Sequence, residues 1–238
     1  DPNWISHLDA DIEAAFNPLK NKQFKSGEAI RWVLRDENGQ LIGRIAAFVN
    51  YPLANTFTQP TGGIGFFECI NNKDAAFLMF DSAREWLTHR GMKAMDGPIN
   101  FGEKERFWGL MTEGFERRPT YLLNYNPPYY KDLFEAYGFL NYYNQYVYRL
   151  SADVRLPQIL EEKLARLMKA QGFRFESIRL SDLDKYAGDF MTIYNKAWAG
   201  THKFFKPISR EEALHMYRSM KDVIDEDLIV FGYKDQDP

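Results

Sequence analysis

Apolar positions along the chain recur at two spacings, alternate residues in some stretches and every third or fourth residue in others. Residues 7–16 carry a short helical pattern that ends before Asn17-Pro18, since the residue before a proline avoids helical geometry. Residues 29–35 and 41–50 are strand-like, and Asp36-Glu37-Asn38-Gly39 between them contains an Asn-Gly pair, a strong hairpin signal. Residues 51–60 read as a proline-containing loop. The chain is organised around Thr61 to Gly91, an apolar strand, a short polar turn and one amphipathic helix. Plain alternation puts Ile64, Phe66, Glu68 and Ile70 on one strand face and Phe67 and Cys69 on the other. In the turn Asn71–Asp74, Asn72 suits a helix cap and Asp74 a first turn. Ala76, Met79 or Phe80, Ala83, and Trp86 or Leu87 then recur at helical spacing, and Gly91 is a fitting stop.

Beyond Gly91, residues 92–97 predict a short strand closed by Gly97-Pro98. Residues 99–120 have no sustained periodicity, and a loop of that length in a compact domain is usually functional or mobile. A short strand is expected at 121–124, a helix at 129–137 stopped by Gly138, and an aromatic-rich strand at 139–150. Residues 156–171 form an amphipathic helix with Leu160, Leu164 and Leu167 or Met168 on one stripe, suited to a connector. The pattern then restarts with a strand at 173–180, a helix over 183–198, a loop from Thr201 to Pro207 and a helix opening at Ser209 with Glu212 placed for a capping box. A last strand at 228–233 is followed by a turn, and the chain stops where a hairpin partner should begin. That marks the sequence as part of something longer.

Composition narrows the class. At 238 residues the chain holds one large or two modest domains, and 45% hydrophobic residues support a real core. A net charge of −3 gives no electrostatic case for nucleic acid or an anionic membrane. The single cysteine, Cys69, excludes an intramolecular disulfide framework and suits a reducing, cytoplasmic setting. No apolar run approaches the roughly 20 residues of a membrane span.

The order of elements, with LFEAYGF at 133–139, resembles the GNAT N-acyltransferase fold. DPNW, GRIAAFVN, GGIGFFE, GPINFGE, GLMTEGF and YNPPYY look like a bacterial subgroup of uncharacterised GNAT-like proteins, over roughly residues 1–150. The resemblance implies an α+β architecture with a mixed, mostly antiparallel sheet flanked by helices over 1–152, a connecting helix at 153–172, and the start of a second such unit at 173–238. It also implies a CoA-dependent N-acyltransferase that moves an acetyl or longer acyl group from acyl-CoA to a small-molecule or peptide amine. The alternative is a catalytically inactive GNAT-like binding or scaffolding unit whose cofactor site lies in a missing carboxyl-terminal half.

Family members cradle the cofactor pyrophosphate on a Gln/Arg-x-x-Gly-x-Gly/Ala loop that opens the central helix. The matching positions here run from Cys69 and Ile70 through Asn72, Lys73 and Asp74 to Ala75, and of the motif's own residues Ala75 alone fits. An ordinary capped helix without a ligand explains the same residues. Glu68 is the resemblance's candidate base, and a paired or solvated carboxylate at a strand end is the plainer account. Phe134 stands where the family often has a tyrosine acid, which leaves Tyr130 and Tyr137 as substitutes or as packing residues. Asn126 lies one residue from a frequent family asparagine and equally suits a helix cap. The four histidines are scattered and show no metal-ligand spacing. No basic patch supports an aminoacyl-tRNA donor.

Overall fold

The computed structural model describes residues 2–102, 106–155, 157–199 and 206–238. The loop expected over 201–205 and the first residue of the helix expected from 156 lie outside them. The chain divides into two compact units, residues 1–147 and 148–238.

The first unit is a mixed α+β structure. Its helices and strands are α1 (Asp9–Phe16), β1 (Gly27–Arg35), β2 (Leu41–Asn50), α2 (Tyr51–Ala54), β3 (Thr61–Cys69), α3 (Lys73–Thr88), β4 (Ala94–Asp96) and α4 (Tyr130–Tyr137). The sheet order is β1-β2-β3-β4; the first three strands are antiparallel and β4 runs parallel to β3. The β1–β2 turn closes because one carboxylate oxygen of Asp36 accepts the backbone N–H groups of Asn38 and Gln40, at 3.0 and 2.8 Å. Side chains that turn on their own backbone in this way fix a tight connection.

Helix α3 begins as its sequence dictates. The Asn72 side chain accepts the Ala75 N–H at 2.9 Å, and Ala76, Met79, Phe80, Ala83 and Leu87 form its buried stripe. Phe80 is the centre of the core, with the rings of Phe67, Phe134, Tyr137 and Phe139 all within 5.5 Å. Such edge-to-face and offset pairs add to the stabilisation from area burial.

Strand β3 departs from plain alternation. Its pairing with β2 runs Arg44↔Glu68 and then Ala46↔Gly65, so two steps on β2 face three on β3. The extra residue is a bulge. Phe66 sits in it with φ +51°, a left-handed conformation that bulky residues rarely adopt. Ile64 and, past the bulge, Phe67 and Cys69 therefore share the core beneath α3. Phe66 instead meets Phe16 and Phe107. The face assignment expected from alternation is corrected accordingly: one inserted residue shifts the parity of the strand.

Two expected strands are absent. At 121–124 the backbone turns, with Leu122 buried at φ +64° and its carbonyl accepting the Phe107 N–H at 2.7 Å. At 139–150 no ladder forms; Phe139 packs on the core, and the side chains from 140 onward stand in solvent, Leu140 at 90% and Tyr148 at 88% exposure. Aromatic and β-branched content favours a strand only where a neighbouring ladder is available. Residues 51–54, expected as loop, form the one-turn α2, capped by the Asn50 side chain on the Leu53 N–H.

The second unit holds α5 (Gln158–Lys169), β5 (Phe173–Ser177), α6 (Leu183–Trp198), α7 (Arg210–Ser219) and β6 (Val230–Lys234). Strands β5 and β6 pair antiparallel, and Phe231 and Tyr233 bury one face with Tyr186, Ala187, Ala213 and Tyr217 of α6 and α7. The capping box at Ser209 and Glu212 is formed. Helix α5 has no buried residue. Among the described residues no helix is long and apolar enough to cross a membrane.

Candidate functional site

The end of β3 brings together most residues singled out in the sequence, and the structure gives most of these a partner. Glu68 is half-exposed and pairs with Arg44 across the strands at 2.8 Å. The Cys69 peptide is held on both sides by α4 and its approach. Its N–H donates to the Tyr130 hydroxyl at 2.8 Å, and the Tyr129 hydroxyl donates to its carbonyl at 2.7 Å. Burial drives the Tyr130 hydroxyl well above the usual tyrosine range and pushes the Cys69 thiol up to about 11. Ile70 donates its N–H to Ile42, Asn72 to Ile70, and Ala75 to the Asn72 side chain. These amides of the turn already have acceptors within the protein. Lys73 lies over the Phe77 ring at 5.0 Å, and Asp74 is in the first turn of α3.

Asn126 is elsewhere in the unit. It is buried and grips the 111 loop, its side-chain oxygen accepting the Met111 N–H at 2.8 Å and its amide donating to the carbonyls of Met111 and Pro127. Neither Asn126 nor Tyr130 lines the hollow between α1 and the sheet.

Tyr130 therefore supports the backbone. Tyr130→Phe leaves the buried Cys69 N–H without its acceptor, and we expect a loss of about 1–3 kcal/mol in unfolding free energy. Urea titration of both proteins checks this; equal midpoints would show that the bond is replaceable.

The hollow lies on the sheet face opposite α3. It is a groove of about 220 Å³ between α1 and strands β1 to β3, lined by Ile12, Phe16, Val33, Ala46 and Phe66, with Arg31 and Arg44; Trp32 and Ile45 border it, but their side chains face α3. The bulge creates one wall, because only the inserted conformation turns Phe66 away from the α3 core and onto Phe16, ring centroids 4.7 Å apart. Arg31 stacks over Phe16 at 4.6 Å and has no carboxylate partner among the described residues. The Arg44 Nε atom is buried without an acceptor, while its Nη2 holds Glu68. A larger hollow of about 280 Å³ in the second unit is lined mainly by Leu180–Asp184 and residues of α7. It has neither the bulge nor the paired arginines, and the first-unit groove carries the stronger chemical case.

One residue that spacing could not assign belongs beside this groove. The ring of His7 packs edge-on against Phe107, itself 5.1 Å from Phe66. Burial lowers its pKa below the ordinary 6.5; attraction from Asp11 and Glu68 opposes this and repulsion from Arg44 adds to it. The fold favours neutral His7, whereas the unfolded chain takes up its proton near the ordinary value. Stability linked to His7 is thus present above that value and falls as pH drops through it toward the lower folded pKa. The stability advantage of the wild type over His7→Gln should accordingly be smaller at about pH 5 than at about pH 7.5 in urea unfolding. An advantage that grows on acidification would show that His7 is charged in the fold.

No protein-family model and no solved structure matches the chain. Curated proteins do. The chain is 29% identical over 237 residues to a protein named bacterial ceramide synthase from Caulobacter vibrioides (strain NA1000 / CB15N), covering 98% of this chain and 60% of that protein. It is 23% identical over 245 residues to protein YghO of Escherichia coli (strain K12), covering 100% of this chain and 60% of that protein. The chain thus spans about three fifths of the length of each relative. These matches correct the functional expectation drawn from the sequence. An acyl-CoA-dependent N-acyltransferase of the N-acetyltransferase kind, or an inactive scaffold derived from one, is not what the relatives' names describe.

Proposed function

We propose that this chain is part of an enzyme acting on acyl groups in the manner of the ceramide synthase it resembles. The observation that carries the proposal is the extent of the match, which runs through both compact units and leaves almost none of the chain unaligned. A ceramide joins a fatty acyl group to a long-chain amino alcohol, so both molecules that such an enzyme handles carry long apolar chains. The groove on the first unit supports the proposal. Its walls are aliphatic and aromatic, and its polar groups are few and convergent, the pattern of a small-molecule site. Fold class by itself would not favour this over other chemistry.

Expression in a bacterial host that makes no ceramide, supplied with a long-chain amino alcohol, tests the proposal. Mass spectrometry of the lipid extract is expected to show ceramide species absent from cells with an empty vector. An unchanged lipid profile, with the protein present and folded, would sink it.

A further inference from the structure

The groove between α1 and the sheet combines three features that packing and pairing within the unit leave partly unused. The inserted Phe66 adopts a left-handed conformation, and it does so facing the groove. Such backbone departures persist only where the surroundings enforce them, and they gather at ligand sites. Arg44 keeps a buried Nε donor unpaired, although a buried donor without an acceptor is costly. Arg31 lies along the same wall with a ring beneath it and no carboxylate against it among the described residues. Arg31 and Arg44 lie on the groove face of the sheet, and two carboxylates stand near them: Glu68, paired with Arg44, and Asp11 of α1, which accepts the Tyr121 hydroxyl at 2.6 Å. The apolar side chains of the lining are Ile12, Phe16, Val33, Ala46 and Phe66.

We propose that this groove binds a single-chain fatty carboxylate, its tail against Phe16, Val33 and Phe66 and its carboxylate on Arg31 and Arg44. The Nε donor of Arg44 gains the acceptor it lacks, and Arg31 gains its anion. An oxygen pair facing guanidinium groups forms charge-assisted bonds about twice as strong as neutral ones. Two guanidinium groups on one face of the sheet disfavour a long-chain amine between them. The length of the tail lies along aromatic and aliphatic surface, where each buried methylene adds to affinity. The choice of an acyl ligand rests on the proposed acyl chemistry; the sign of the charge and the apolar walls rest on the groove alone.

Val33, exposed on the groove face of β1, supplies the control. Dodecanoate is titrated into the purified full chain by isothermal titration calorimetry, with dodecanol and dodecylamine titrated alongside. Saturable binding is expected, and Val33→Glu, which puts a carboxylate into the groove, should largely abolish it. Arg31→Gln and Arg44→Gln should each weaken binding about tenfold or more, the scale of one hydrogen bond to a charged group. Glu68→Gln, which removes the competing carboxylate, should tighten binding a few-fold. That sign would not follow if the Arg44–Glu68 pair were simply holding the strands together. Thermal melting separates lost binding from lost folding, and Arg44→Lys keeps the charge for a protein that tolerates no neutral residue there. The inference is overturned if the wild type shows no saturable binding, if folded Val33→Glu binds as strongly, if folded arginine variants bind as well as wild type, or if dodecylamine binds more tightly than dodecanoate. Dodecanoate binding without ceramide formation would uphold the groove and sink the proposed function; ceramide formation without binding would do the reverse.

Discussion

Replacing Phe80 by alanine is expected to lower the unfolding free energy of the first unit by about 3–5 kcal/mol. Phe80 has no solvent exposure, and its ring is bounded by Phe67 from β3, by Phe134 and Tyr137 from α4 and by Phe139 just beyond. Removing it takes away the transfer free energy of the ring and leaves a space whose walls are themselves rings, poorly able to collapse into it. A typical domain has only about 5–15 kcal/mol in total, so the variant should be close to unfolding under ordinary conditions. Phe80→Leu fills most of the space and should cost considerably less. Urea unfolding of both variants is the check. Equal losses would mean that refilling the volume restores nothing and that the ring contacts carry the effect.

Gly65→Ala is the second large effect, expected near 3 kcal/mol because the added methyl group has no room. A β-carbon there would stand 1.8 Å from the carbonyl oxygen of Ile99. That oxygen belongs to backbone lying across β3, held by the bond from the Ile99 N–H to the Ile64 carbonyl at 2.8 Å. Gly63→Ala is the control. A β-carbon at Gly63 meets the Phe48 ring and the tip of Ile99, side-chain atoms that can move aside. The loss at Gly65 should therefore exceed the loss at Gly63. The opposite order would show that the crossing segment, not the side chains, is the part that yields.

The elements set by neighbouring residues were legible in the sequence. The hairpin at Asp36–Gly39, the Asn72 cap, the α3 stripe, the stop at Gly138 and the capping box at Ser209 each depend on groups a few residues apart, and each is present. What depends on distant chain was not legible. Alternation could not reveal the bulge, because the inserted residue is identified only by its pairing with β2. The aromatic content of 139–150 indicated a strand but could not supply a partner for it. Asn126 could be a cap or a catalytic group by position, and only the fold shows it gripping Met111. His7 was unassignable because Phe107 and Glu68, far along the chain, define its surroundings. The groove was missed for the same reason, since Phe16, Arg31, Ala46 and Phe66 share no local spacing. The functional expectation drew on local motifs at the α3 turn; similarity along the whole chain to a ceramide synthase overturned it.

The bulge also tells how β3 would respond to a change in length. Gly62, Ile64, Phe67 and Cys69 look one way, while Gly63, Gly65 and Glu68 look the other. Striking out Phe66 alone would leave every one of these seven on its present side, in an unbroken ladder of eight residues. Loss of any of the other seven would turn part of the strand over. Phe66 is thus a guest in the strand, and a shortened chain without it should still fold with the same core. What it would lack is the ring that β3 contributes to the groove.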